Sequence, residues 1–254
     1  MTLFSLLSPQ DLLLALIIAF VAGWVKGMVG FAMPMVLVSG LSMFLPPDLA
    51  IAGLILPTLV TNGIQALREG LPAAVSAIKQ FRIFLMVGLV FLLLGAQLVS
   101  AVPARTFLLM IGIPVTFFAL IQVLGVQLSL GKPSTGIEVG IGVIAGFIGG
   151  MSGIWGPPTV AYLTALNTPK AVQMRVQGVI YGLGAVALML AHLGSGILRA
   201  ETVPFSAILI FPALAGMWIG LGLQSRIDQA VFRKVTLLVL LIAGVNLLRR
   251  GILG

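Results

Sequence analysis

The sequence predicts an all-α integral membrane protein built from two homologous halves, and three observations predict it. Sixty per cent of the 254 residues are apolar and only 8 per cent are charged, with a mean hydropathy of +1.22. A soluble domain carries about 45–50% apolar and about 25% charged residues. The apolar residues form unbroken runs of about 20, the length that a helix needs to cross a bilayer, rather than the ~10-residue alternating segments of a membrane barrel. A Gly-rich interruption ending in proline also occurs twice, at matching places in the chain. This composition excludes most soluble enzymes and any extended nucleic-acid surface.

Eight apolar runs follow one another, at about residues 11–45, 49–67, 81–102, 106–126, 137–166, 171–193, 204–223 and 235–248. The residues before the first run, Met1 to Gln10, have no basic segment and no small-residue cleavage site, so the run is expected to be retained. The first run contains an interruption and closes at Pro46-Pro47. The second carries Asn62 and Gln65, and the third follows a basic connector holding Arg68, Lys79 and Arg82. The fourth follows Arg105. The fifth contains the second interruption and closes at Thr168-Pro169. The sixth carries Gln173, Gln177 and Tyr181, the seventh opens at Pro204, and the eighth ends at Arg249-Arg250. The first and fifth runs are too long for one straight spanning helix, which needs about 20 residues.

The interruption is an internal repeat. The first copy reads Ala22-Gly23-Trp24-Val25-Lys26-Gly27-Met28-Val29-Gly30-Phe31-Ala32-Met33-Pro34, and the second Ala145-Gly146-Phe147-Ile148-Gly149-Gly150-Met151-Ser152-Gly153-Ile154-Trp155-Gly156-Pro157. Ala, Gly, Gly, Met, Gly and Pro coincide, and an aromatic residue follows the first Gly in both. The chain therefore reads as an N-terminal repeat, residues 1–127, and a C-terminal repeat, residues 128–254, forming one transport domain.

The net charge of +8 comes from basic residues set singly in short connectors, which reads as anchoring at the membrane surface. If all eight runs cross once, the connector charges divide seven to six. If the two interrupted runs dip in and return, Arg68, Lys79, Arg82, Lys132, Lys170, Arg175, Arg226, Arg233 and Lys234 fall together, and Arg105, Arg199, Arg249 and Arg250 oppose them. That nine-to-four split obeys the positive-inside tendency. It favours re-entrant first segments, three full crossings per half, and inverted repeats, the architecture of many secondary transporters.

Helix ends inside a bilayer survive only where protein or an aqueous cavity surrounds them. A helix N-terminus offers free N–H donors and a partial positive charge, which suits an anion. Twin interruptions in corresponding places point to a midplane substrate site. Gly27, Gly30, Gly150, Gly153 and Gly156 allow backbone to approach a ligand closely. Pro34 and Pro157 suit the first turn of each restarting helix. Ser152 adds a hydroxyl donor, and Trp155 can wall the site. Elsewhere, at Gly23, Gly142, Gly178 and Gly216, glycines at GxxxG spacing read as helix-packing positions.

Lys26 lies inside the first run, where a charge is costly. It reads equally as a functional cation and as a side chain snorkelling to the surface or sitting on a helix C-terminus. Asn62 and Gln65 share a helix face. Gln173, Gln177 and Tyr181 recur at every fourth residue, with Arg175 nearby. That stripe reads as a pathway lining or as interhelical hydrogen bonding. His192 reads as interfacial.

No catalytic constellation is legible. There is no cysteine, and the single histidine cannot build a multi-histidine metal site. There is no Walker A motif, since Gly131-Lys132-Pro133-Ser134 has the wrong spacing. Asp11, Asp48, Glu69, Glu138, Glu201 and Asp228 fall at or near connectors, so no acidic pair lies within a run. No ATP-binding domain is present, so pumping is expected to be gradient-driven or to use a separate subunit. Neither a cofactor nor a metal is called for.

The two interruptions, the segment Leu56-Pro57-Thr58-Leu59-Val60-Thr61-Asn62-Gly63-Ile64-Gln65, and Gly149-Gly150-Met151-Ser152-Gly153-Ile154-Trp155-Gly156-Pro157-Pro158 resemble the sulfite exporter TauE/SafE family of bacterial permeases. The likeness covers nearly the whole chain. The second interruption is the more specific motif; in the first, Lys26 and Val29 stand where small residues are common. The resemblance implies movement of small anions, such as sulfite, sulfonates and related carboxylates, across the bacterial inner membrane by a multi-pass protein.

The function expected is therefore that of a secondary transporter, not an enzyme. It would hold a small anion between the two interruptions and alternate access to it. The expected substrate-binding residues are Gly27, Gly30, Pro34, Asn62, Gln65, Ser152, Gly153, Trp155, Gly156 and Pro157. Lys26 and Arg175 are the candidate charge partners, and Gln177 and Tyr181 the pathway residues. An anion channel with the same interruptions lining its pore, or a non-enzymatic membrane subunit, is the alternative. The partners expected are a small anionic substrate, the lipid bilayer and a second copy of the chain as a homodimer, with no nucleic acid.

Overall fold

The computed structural model describes residues 7–41, 43–97, 104–126, 129–130, 134–152, 156–194 and 197–253. Among the described residues every regular element is a helix. In order these are α1 (Pro9–Val29), α2 (Met33–Leu41), α3 (Pro47–Leu67), α4 (Leu71–Gln80), α5 (Arg82–Gln97), α6 (Ala104–Val123), α7 (Thr135–Ser152), α8 (Gly156–Ala165), α9 (Lys170–Gly194), α10 (Val203–Ile208), α11 (Ile210–Arg226) and α12 (Gln229–Leu253). Among the described residues four stretches are long and apolar enough to cross a membrane: Pro9–Val29, Leu49–Leu67, Val203–Arg226 and Gln229–Leu253. A fifth is reached if Leu71–Gln80 and Arg82–Gly95, bent by 76° at their junction, count as one. Large apolar side chains such as Leu13, Phe117, Phe211, Trp218 and Ile242 stand exposed. In water such faces would be unfavourable, whereas lipid tails cover them without cost. The chain is a multi-pass helical membrane protein.

The described chain divides into two compact units, neither continuous in sequence. Unit 1 comprises residues 1–70 and 178–227, and unit 2 comprises residues 71–177 and 228–254.

In unit 1, Ser8 opens α1 by accepting the Asp11 N–H at 3.1 Å, and Pro9 occupies the first turn, where its missing N–H is no loss. The helix packs along α11 through reciprocal small-residue faces. A side chain at Gly23 would meet the Ala213 carbonyl at 2.0 Å, and one at Gly216 would meet the Phe20 carbonyl at 2.0 Å. Lipid supplies no hydrophobic force between helices, so this close backbone approach is what holds the pair. The core beside it gathers Ala15, Ala19 and Ala22 of α1 with Met33, Leu37 and Leu41 of α2, Leu54 of α3, and Phe205, Leu209 and Ala213.

Unit 2 repeats the device with other helices. On α7, a side chain at Gly146 would meet the Gly88 carbonyl of α5 at 2.2 Å, and one at Gly95 would meet Phe147 at 2.5 Å. Gly244 of α12 packs on Thr116 of α6 in the same way. The sequence reading treats residues 68–80 as a connector, but they hold the helix α4. Pro72 starts it, and Ala74 and Ala77 are buried. It escapes a search for spans because ten residues reach only about 15 Å at the helical rise of 1.5 Å per residue. At the bend that follows, the Glu138 carboxylate accepts the Phe84 N–H at 3.2 Å, so a side chain from α7 serves the open start of α5.

Candidate functional site

The first interruption is short and tightly wound. α1 ends at Val29, and Gly30 takes a left-handed backbone (φ 84°) while its N–H returns to the Lys26 carbonyl at 2.6 Å. Only glycine holds that conformation without strain. Ala32 is left-handed as well (φ 72°), at a cost of roughly 1–2 kcal/mol for a residue with a side chain. Two such residues around Phe31 reverse the chain within three positions, and α2 restarts at Met33 with Pro34 next in line.

Lys26 sits in the last turn of α1, on the negative end of the helix dipole, with 1% of its surface exposed. It does not snorkel. Its Nζ donates to Asn62 Oδ1 of α3. The Asn62 amide then donates to the Tyr181 carbonyl at 3.2 Å, and Gln65 Nε2 donates to the Gly30 carbonyl at 3.2 Å. The shared face that the sequence assigns to Asn62 and Gln65 is therefore the face that closes on the end of α1. Among the described residues no carboxylate pairs with Lys26. A lysine at the centre of a bilayer costs about 2.5–3.5 kcal/mol on insertion scales, and here one amide oxygen meets it.

The face is wider than the sequence reading saw. Thr58 and Thr61 are buried on it, at the i, i+3, i+4 and i+7 spacing that runs from Thr58 to Gln65. Pro57 has no N–H to give the Gly53 carbonyl. Around it, Thr61 Oγ1 donates to the Pro57 carbonyl at 2.7 Å and the Leu56 N–H donates to Ser206 Oγ at 3.1 Å. The signal in the sequence was a proline inside an apolar run followed by threonines at helical spacing. Gly27 makes its close approach to α11, where a side chain would meet the Met217 carbonyl at 2.3 Å.

In the second motif the described residues of α7 run to Ser152 and those of α8 begin at Gly156, 123 positions after Val29 and Met33, and residues 153–155 lie outside the described residues. Pro157 holds the place of Pro34 and is buried. Gly153 and Trp155 lie outside the described residues, as does the side chain of Ser152. Gly149 stands where Lys26 does in the first copy.

Gln173, Gln177 and Tyr181 are all buried on α9, as their spacing predicts. Both polar atoms of the Gln177 amide lack a protein partner, and Gln177 is fully buried. Arg175 lies half-buried on the same helix. The structure thus brings Lys26, Gly30, Asn62, Gln65 and Tyr181 together in unit 1, and holds the second interruption in unit 2.

Apolar helices long enough to span a bilayer, with a buried cation at the end of one of them, define a polytopic membrane protein. The chain belongs to the sulfite exporter TauE/SafE family, whose family model matches residues 15–247. No curated protein and no solved structure shows significant similarity to the chain.

Proposed function

We propose that the protein is a secondary transporter that moves a small anion, such as sulfite, a sulfonate or a related organic anion, across the bacterial inner membrane by alternating access. The binding elements are the two Gly-rich interruptions near the midplane: Gly30 to Pro34, with Lys26, Asn62 and Gln65 behind them, and Ser152 to Pro157. The observation that carries this reading is the buried Lys26, held by an amide oxygen with no carboxylate paired to it among the described residues. Such a cation favours a negatively charged guest over any neutral one, and the guest offsets the lysine's desolvation. Backbone N–H groups at the start of α2, other than at Pro34, add donors without adding charge. Family membership supports the class of activity.

Flux into proteoliposomes tests the reading. Purified protein is expected to show saturable uptake of sulfite or methanesulfonate, with counterflow when the lumen is preloaded. Lys26→Met and Ser152→Ala are each expected to cut that flux by about tenfold or more in protein that still purifies as a folded species. Normal flux in Lys26→Met would remove the cation from the mechanism. Large single-channel currents in a planar bilayer would replace the carrier with a pore.

A further inference from the structure

α4 and α5 meet at a bend of 76°. The backbone carries the bend without losing its hydrogen bonds. The Phe81 N–H still donates to the Ala77 carbonyl at 3.0 Å, and the Leu85 N–H to the Phe81 carbonyl at 2.9 Å. Glu138 of α7 takes the Phe84 N–H, one of the donors that the start of α5 leaves open. α5 turns Met86, Leu89, Val90 and Leu93 outward, an apolar face suited to lipid. Spanning helices tilt about 20° on average from the bilayer normal. A helix turned 76° away from such a segment runs close to the membrane plane.

At about 3.6 residues per turn, the ten residues of α4 divide into three faces. Ala74 and Ala77 are buried against the protein. Leu71, Val75 and Ile78, at i, i+4 and i+7, form a second face that stands exposed. Ser76, Lys79 and Gln80 form a third, also exposed. Lys79 stands at the border of the apolar and polar faces, and the exposed Arg82 opens α5 just past the bend. Among the described residues neither cation makes an ion pair or a hydrogen bond. Glu69, two residues ahead of α4, is the one acid of a connector that also holds Arg68, Lys79 and Arg82. An exposed apolar face beside a cationic polar one is the pattern of a helix lying in the membrane interface. A lysine at the border lays its stem over the acyl chains and carries its charge to the head groups.

We infer that α4 is an interfacial helix whose partner is an anionic lipid leaflet: Leu71, Val75 and Ile78 rest on the acyl boundary, and Lys79 and Arg82 meet lipid phosphates. These two cations belong to the connector group that the positive-inside tendency assigns to the cytoplasmic face, where anionic lipid makes the surface potential negative. A free oxyanion shares the chemistry of the lipid phosphate but leaves the apolar face uncovered, whereas an anionic lipid serves both faces. This surface is separate from the Lys26 cluster and does not depend on the transport reading.

The chain has no cysteine, so single cysteines can be placed without background. Nitroxides at Leu71→Cys, Val75→Cys and Ile78→Cys, in nanodiscs of mixed phosphatidylcholine and phosphatidylglycerol, are expected to collide with oxygen and to lie at one shallow depth. Ser76→Cys and Gln80→Cys are expected to react with a charged, water-soluble maleimide. A depth that changes by about 10 Å from Leu71 to Ile78, at 1.5 Å per residue, would make α4 part of a bent span and overturn the inference. Labels at Val75 and Ile78 that only an aqueous relaxant reaches would overturn it, and so would labels shielded from both, the sign of a second copy of the chain on that face. Lipid choice is read from bimane at Ile78→Cys, quenched by brominated phosphatidylglycerol mixed with phosphatidylcholine. Enrichment of the anionic lipid is expected at low salt and is expected to fade towards about 1 M salt. Lys79→Gln and Arg82→Gln are each expected to lower it about fivefold. Both side chains are exposed, and an unchanged gel-filtration profile confirms that the variants fold. Equal quenching by brominated phosphatidylcholine, unmoved by either substitution, would overturn the anionic partner.

Discussion

The two Gly-rich motifs share a spacing and differ in charge. The last described residues of α1 and α7, the first of α2 and α8, and the prolines beside them stand 123 positions apart. Behind each, a glycine of the preceding helix, Gly23 or Gly146, lies against a backbone carbonyl of another helix. Only the first carries a lysine; the second has Gly149 in that place. The duplicated part is the part that backbone geometry demands. A second buried cation at Gly149 would add a desolvation cost of its own.

The comparison breaks most visibly at the packing glycines. Gly23→Leu and Gly146→Leu both drive a side chain into backbone, and both are expected to yield no monodisperse folded protein by gel filtration. Tolerance of one and not the other would show that the two interruptions are supported differently. Next in size is the charge itself. Lys26→Met is expected to cut anion flux by roughly 10- to 100-fold or more, the scale of one charge-assisted hydrogen bond. Gly149→Lys is expected to lower the thermal midpoint, since nothing in the sequence beside it replaces Asn62. A smaller effect belongs to the turn: Gly30→Ala keeps φ 84° only with a strain of about 1–2 kcal/mol, read as a lower midpoint.

Further down the scale, Glu138→Ala tests a difference between bent helices. α5 has a carboxylate at its start, whereas α11 has no side-chain cap. Loss of that acceptor is expected to cost about 1 kcal/mol in thermal or denaturant unfolding. Smallest is Gly63→Ala. No atom lies within 4 Å of the added carbon, so the variant is expected to be neutral or stabilised by up to about 1 kcal/mol. Any loss of flux there would mean that the α3 face beside Asn62 meets a guest more closely than the resting structure does.

Much of the fold could be read beforehand because lipid makes each helix announce itself. A segment in hydrocarbon must satisfy its own backbone, so apolar runs become helices and glycine with proline marks where they stop. The end of α1 and the start of α2 fall inside the first repeated motif for that reason, and Asn62 and Gln65 share a face by helical period alone. The helix α4 was not legible, since it is too short for a span and its alanines resemble a linker. Thr58 and Thr61 lie in the segment that resembles the family, but no role is legible for them, because a small hydroxyl is unremarkable in a membrane helix until the structure buries it.

The sequence by itself determined the class of solvent, most of the helices, the break after α1 and the family, all of which rest on local composition and on spacing along one chain. The tertiary structure decided the fate of Lys26. Snorkelling and burial have the same sequence, and only the arrival of Asn62 from α3, 36 residues away, chooses between them. It likewise decided that Gly27 packs on α11 and that Arg233 meets Asn167 and Gln122. These pairings join residues that no local period relates, and their energies exist only once the helices have come together.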